Sequence, residues 1–184
     1  MSPDLTLALE LADAADALSV GRFRARDLVV ETKPDRTPVT EADRSVEDAI
    51  RARLAVERPD DGVLGEELGI TGGGRRRWIL DPIDGTRNYS RGIPVWATLI
   101  ALEEDGVPTI GVVSAPALGR RWWAAAGSGT VADGRPCRVS AVDDLAEAQV
   151  SITFRPRTTR EAPFSDMTLR SRVVAPSRTG NATM

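Results

Sequence analysis

The run Trp78-Ile79-Leu80-Asp81-Pro82-Ile83-Asp84-Gly85-Thr86 constrains this chain more than any other stretch. Three bulky apolar residues predict a strand, and Pro82, which has no N–H to give a ladder, predicts that it stops at Asp81-Pro82. Gly85 supplies the turn. Two carboxylates three residues apart therefore sit at a strand end. Upstream, Val63-Leu64-Gly65 predicts a second short strand that runs into Glu66-Glu67. A third acid, Asp43, falls in the first turn of a predicted helix. Clustered carboxylates repel one another, and a hard cation offsets that repulsion. Mg²⁺ takes octahedral oxygen ligands at about 2.0–2.1 Å and keeps some positions for water and phosphate. Glu66, Asp81, Asp84 and the Ile83 carbonyl are the candidate metal ligands. Asp43 and Thr86 are candidates for orienting an attacking water and taking its proton. Gly85 and Thr86 amides, if a helix starts after the turn, face a phosphate.

The surrounding elements follow from periodicity. Ser2-Pro3-Asp4 has the signature of a helix start, and Leu5, Ala8, Leu9, Ala12 and Ala15 follow at helical spacing, with a stop near Gly21. Leu28-Val29-Val30 predicts a short strand, and Lys33–Pro38 a loop. Thr40-x-x-Asp43 is a capping-box pattern ahead of the stripe Val46, Ile50, Leu54. Pro59-Asp60-Asp61-Gly62 ends that helix. Thr71–Arg77 reads as a mobile surface loop. Trp96–Leu102, Thr109–Ser114 and Arg121–Ala125 predict strands, with turns at Glu104-Asp105-Gly106 and at Asp133-Gly134, the latter leading to Arg138-Val139-Ser140. Ser151–Phe154 is a further strand candidate. The class is α+β: two helices near the start, then an antiparallel sheet.

Composition removes competing chemistry. The 184 residues include no histidine, so a Ser-His-Asp triad, His-liganded zinc and phosphohistidine chemistry are excluded. The single cysteine, Cys137, forms no internal disulfide. It has Asp143, not arginine, six positions on, so a cysteine phosphatase fails as well. Residues 1–152 hold 18 Lys+Arg and 25 Asp+Glu, a net of −7, which argues against nucleic acid as the main partner. Residues 153–184 hold 6 Arg and 2 acids, a net of +4. That stretch has neither helical nor strand period and reads as an irregular basic tail. Met1–Leu18 contains four acids and no Lys or Arg, unlike a secretory signal, and no apolar run has the length of a membrane span. The expectation is a cytoplasmic protein.

Each residue also has a plainer reading. Asp43 alone is a helix cap, Glu66-Glu67 a solvated pair, and Asp81-Pro82 and Asp84-Gly85 ordinary turns. Trp78, Trp96, Trp122 and Trp123 read as packing residues, Cys137 as an inert thiol and Lys33 as solvent-facing.

Taken together, the motifs say more. Trp78–Tyr89 resembles the W-[IV]-[IVL]-D-P-[IL]-D-G-T-x-N-[FY] signature of the inositol monophosphatase-like family. Gly65-Glu66-Glu67 resembles its G-E-E motif, and Pro38-Val39-Thr40-Glu41-Ala42-Asp43 its V-T-x-x-D motif. The resemblance covers roughly residues 3–154. Within that family, Thr32–Thr40 and the stretch from Gly92 through Ser114-Ala115-Pro116-Ala117 to Ala124 look most like the bacterial histidinol-phosphatase branch.

The resemblance implies a Mg²⁺-dependent phosphomonoester hydrolase of a small phosphorylated metabolite, using two or three ions. Glu66, Asp81 and the Ile83 carbonyl would hold the first ion, and Asp81 and Asp84 would bridge to a second. Asp43 with Thr86 would activate the water, and Gly85 and Thr86 amides would bind the phosphate. It also implies the N-terminal part of a layered α/β sandwich, ending near residue 154, with 155–184 outside it. The family continues further, to a W-D-x-A motif whose aspartate completes the second metal site; no tryptophan here is followed by aspartate. A truncated product is therefore expected, with apolar sheet surface exposed and a homodimer as one consequence. Inositol 1-phosphate or another sugar phosphate is the alternative substrate. An inactive fragment, or a binding module built on the basic tail, are the alternative functions.

Overall fold

The computed structural model describes residues 1–149, which fall into two units, Met1–Pro136 and a second beginning at Cys137. In the first unit, Ser2 caps helix α1 (Pro3–Arg22): its hydroxyl accepts the Leu5 amide at 3.2 Å, Pro3 opens the first turn and Asp4 places an acid there. Helix α2 (Glu41–Glu57) starts at the full capping box expected from Thr40 and Asp43. Its buried residues, Ala42, Asp43, Val46, Glu47, Ile50 and Leu54, recur three and four apart and form one stripe. A two-stranded hairpin, β1 (Val30–Thr32) and β2 (Pro38–Thr40), leads into α2. Strand β1 lies two residues later than Leu28–Val30, because its register is set by pairing Val30 with Thr40.

The large sheet contains β3 (Gly62–Gly65), β4 (Gly69–Thr71), β5 (Arg76–Asp84), β6 (Ala97–Glu104), β7 (Val107–Ala115), β8 (Arg120–Ala125), β9 (Gly129–Ala132) and β10 (Arg135–Cys137). Their order is β10-β9-β8-β7-β6-β5-β3-β4. The α+β class and the β6–β8 meander match the sequence reading. Three details differ. The sheet is mixed, because β3 and β5 pair in parallel while β4 folds back antiparallel on the far side of β3. Residues 71–77 are only partly loop: Thr71 ends β4, and Arg76 and Arg77 open β5, held by ion pairs to Asp61 and Glu103. The strand after Asp133-Gly134 is Arg135–Cys137, not Arg138–Ser140, because both turn residues take positive φ (48° and 79°) and the ladder resumes at once. In the second unit, Leu145–Glu147 form a short 3₁₀ turn. The expected strand at Ser151–Phe154 and the tail at 155–184 lie outside the described residues.

The two helices and one sheet face enclose the core. Leu5, Ala8, Leu11, Val46, Ile50 and Leu54 pack on Trp78, Leu80, Ile100, Leu102, Ile110 and Val112. The cross-strand row Leu80, Ile100, Val112, Trp123 follows from the registers, and Trp123 packs against this cluster. The other face carries Ile79, Leu99, Ala101, Val113 and Trp122, and none of these is buried. Among the described residues, no helix is long and apolar enough to cross a membrane.

The two faces should respond differently to truncation. Leu102→Ala should cost about 2–5 kcal/mol in urea unfolding, because it opens a cavity in the core. Val113→Ala, on the opposite face at 37% exposure, should change stability by less than about 0.5 kcal/mol.

Candidate metal and phosphate site

The site forms where β5 leaves its regular ladder. Asp81 pairs with Leu99 and Asp84 with Ala97, so one extra residue is accommodated on β5 between them. This bulge lets the chain pass through Pro82 without a ladder N–H. The buried Thr98 hydroxyl donates to the Pro82 carbonyl at 2.8 Å and satisfies the acceptor that the bulge frees. Ile83 is fully buried and Asp84 is exposed. Gly85 follows with φ +88°, a conformation that suits glycine, and a Cβ there would stand 3.1 Å from the Val95 carbonyl. It caps the single helical turn α3 (Thr86–Tyr89). Beneath α3, Phe23, Tyr89 and Trp96 form an aromatic cluster, with Tyr89 and Trp96 edge to face at 4.9 Å. The Tyr89 hydroxyl donates to the Ser19 carbonyl at 2.7 Å, which fastens the turn to the end of α1.

The structure brings Asp43, Ile83 and Thr86 together. Asp43 is 1% exposed. Its Oδ2 accepts the Thr40 amide at 2.8 Å and the Thr40 hydroxyl at 2.5 Å. Its Oδ1 lies 3.1 Å from Thr86 Oγ1, which is also 2.9 Å from the Ile83 carbonyl. A hydroxyl has one proton, so Thr86 donates to one of these oxygens at a time. Burial pushes the Asp43 carboxyl above its usual range, against the lowering effect of the Thr40 and Thr86 hydrogen bonds. Asp43 is thus both the helix cap of the plainer reading and a neighbour of the strand-end turn.

Glu66 and Asp81 meet across the β3–β5 pair. The Glu66 amide donates to the Leu80 carbonyl at 3.1 Å, which sets Glu66 beside Asp81. Burial, followed by the charge of Glu66 and a hydrogen bond shared with its carboxyl, and then the charges of Asp84 and Asp43, pushes the Asp81 carboxyl well above the usual carboxylate range. Its Oδ1 is buried with no hydrogen-bond partner. A buried, unpartnered carboxylate oxygen among acids is the environment that a hard cation relieves, so these oxygen donors fit Mg²⁺. Among the described residues, no three of these side chains converge closely enough to hold a metal ion by themselves, so the fit rests on the donor chemistry and on the unpartnered Asp81 oxygen.

One cation does reach the cluster. Lys33, expected to face solvent, is mostly covered: its Nζ lies 3.0 Å from Glu66 Oε1 and 2.6 Å from Glu67 Oε1. The β1–β2 turn aims it there, through the Lys33 amide on the Thr37 carbonyl and the Arg36 amide on the Lys33 carbonyl. Its acidic partners lie 33 and 34 residues away, so no local sequence signal pointed to them. Trp78 and Trp96 are core residues as expected, and Trp122 and Trp123 are half-buried.

Known proteins share this arrangement of elements. The extragenic suppressor protein suhB of Bartonella henselae superposes with a TM-score of 0.73 at 35% identity, over 77% of this chain and 56% of that one. The Thermotoga maritima IMPase superposes with 0.71 at 35% identity, over 76% and 55%. The fold is that of the suhB and IMPase structures. The chain belongs to the inositol monophosphatase family, whose model matches residues 1–183. Among curated relatives, a histidinol-phosphatase of Mycobacterium tuberculosis is 60% identical over 82% of this chain and 60% of its own length. One of Streptomyces coelicolor is 56% identical over 79% and 58%. The chain therefore spans about 60% of the length of these relatives.

Gly85→Ala tests the turn. Its Cβ meets the Val95 carbonyl in a left-handed conformation, so thermal unfolding should show a loss of about 1–2 kcal/mol. An unchanged melting temperature would mean that the turn does not need glycine.

Proposed function

We propose that the chain carries the catalytic half-site of a Mg²⁺-dependent phosphomonoester hydrolase, acting on histidinol phosphate in histidine biosynthesis. The observation that carries this reading is the unpartnered, buried Asp81 oxygen beside Glu66 at the end of β5. The names and identities of the relatives support the substrate. Glu66, Asp81, Asp84 and the Ile83 carbonyl would hold Mg²⁺. Bound Mg²⁺ would supply positive charge for the phosphate and for the departing alcohol oxygen.

The protein groups divide the remaining work. Gly85 and Thr86 amides orient the phosphate. The Thr86 hydroxyl accepts a hydrogen bond from the attacking water and passes its own proton toward Asp43 Oδ1, 3.1 Å away. Asp43, raised by burial, is a better proton acceptor than an exposed aspartate. Water adds to phosphorus in line as the ester P–O bond breaks; the departing alcohol oxygen takes a proton from solvent and Asp43 returns its proton to solvent, giving inorganic phosphate and the free alcohol. The reading carries with it a soluble cytoplasmic enzyme, assembled as a homodimer, with neither nucleic acid nor membrane as partner.

A second reading is that these carboxylates at most bind Mg²⁺, without turnover: among the described residues no three of them converge on one point. Phosphate release from histidinol phosphate and from inositol 1-phosphate, with Mg²⁺ present, separates the readings: the first expects turnover with histidinol phosphate preferred, the second expects none with either. Asp84→Asn should abolish Mg²⁺ binding in calorimetry. Equal binding by the variant would remove Asp84 from the metal site.

A further inference from the structure

Helix α2 carries a charge where its stripe calls for an apolar side chain. Glu47 is 0% exposed and lies among Val46, Ile50 and Leu54. Burying a carboxylate is costly unless every oxygen is satisfied. Here both oxygens are, and two of the three bonds run to one short turn. Oε2 accepts the Glu67 amide at 2.8 Å, and Oε1 accepts the Leu68 amide at 3.2 Å. The third bond comes from Arg51 Nε at 2.8 Å. Arg51 then reaches the Thr71 hydroxyl at 2.8 Å and the Gly69 carbonyl at 2.5 Å, so the pair holds the β3–β4 turn and the strand β4 that follows it.

Gly65 completes the fit. A Cβ at Gly65 would fall 1.9 Å from Glu47 Oε1, so the carboxylate occupies the space a side chain there would take. Glu66 is the residue between these fixed points. Its own amide is tied to the Leu80 carbonyl at 3.1 Å, and the next two amides are tied to Glu47. Backbone bonds on both sides fix where the Glu66 side chain starts, and its carboxylate lies near enough to Asp81 to raise it while also meeting Lys33 Nζ at 3.0 Å. An apolar residue at position 47 would fill the core equally well but would leave those two amides without their acceptor.

We infer that Glu47 is a positioning residue for the metal site: it fixes the Gly65–Leu68 turn so that Glu66 stands ready beside Asp81. This rests on the reading of Glu66 and Asp81 as Mg²⁺ ligands. Residues that orient a ligand from behind typically change metal affinity 10–100-fold when altered.

The test uses the full 184-residue chain and Mg²⁺ alone. Glu47→Gln keeps the shape but replaces one acceptor oxygen with a donor. Its Mg²⁺ affinity in calorimetry should fall about tenfold or more, and amide exchange at Glu67 and Leu68 should accelerate. Leu54→Ala is the control, a core truncation on the same helix with no bond to the turn. It should lose stability but keep parental Mg²⁺ affinity and slow exchange at both amides. If Leu54→Ala weakens Mg²⁺ binding as much as Glu47→Gln does, the effect is general destabilisation and the inference is overturned. Parental affinity in Glu47→Gln overturns it as well. If the parent chain binds no Mg²⁺, the metal reading fails, and the inference fails with it. Should Glu47→Gln not fold, Gly65→Ala presses on the same carboxylate from the other side and should give the same loss of affinity; undiminished binding there is again contrary.

Discussion

The carboxylate of Asp43 is where helix and sheet are fastened to each other. One oxygen takes the Thr40 amide and hydroxyl and so starts α2; the other meets the Thr86 hydroxyl and so holds the turn after β5. These three residues come from a hairpin end, a helix start and a strand-end turn. Without the Thr86 contact, α2 would still be capped, but the Asp84–Thr86 turn would lose a fixed point. The aromatic cluster of Phe23, Tyr89 and Trp96 supports the same turn from below. Rigid support matters because hydrolytic sites depend on placing reacting groups to within fractions of an ångström.

Like charges dominate the rest of the site. Glu66, Asp84 and Asp43 lie close enough to raise the Asp81 carboxyl together, after burial itself. Such an arrangement is unfavourable for folding alone. Lys33 offsets part of it by bonding Glu66 and Glu67, yet Asp81 Oδ1 has no partner. The protein thus holds part of its acidic site compensated and part open. A divalent cation would complete it, and Glu66 would then be shared between Lys33 and the ion.

Much of this was legible in the sequence because it is local. The Thr40–Asp43 capping box, the Gly85 turn and the Asp105-Gly106 hairpin are set by residues within a few positions of one another. The carboxylates at strand ends were legible for the same reason. What escaped was non-local. The bulge between Asp81 and Asp84 exists only in register with β6, and the parallel β3–β5 pair hides behind a glycine-rich connection that reads as loop. Lys33 looked exposed because its acidic partners are more than thirty residues away. Glu47 left a signal that was there to read: a charge on the stripe at positions 43, 46, 47, 50 and 54, with an arginine four residues on.

If the end of β5, with Glu66 beside it, takes up a divalent cation, Mn²⁺, a paramagnetic stand-in for Mg²⁺, titrated into the ¹⁵N-labelled chain should broaden the amides of Glu66, Asp81, Asp84 and Gly85 first, while those of the glycine loop at Gly72–Gly74 stay sharp. Broadening that begins elsewhere, or none at all, would mean that the cation does not bind there.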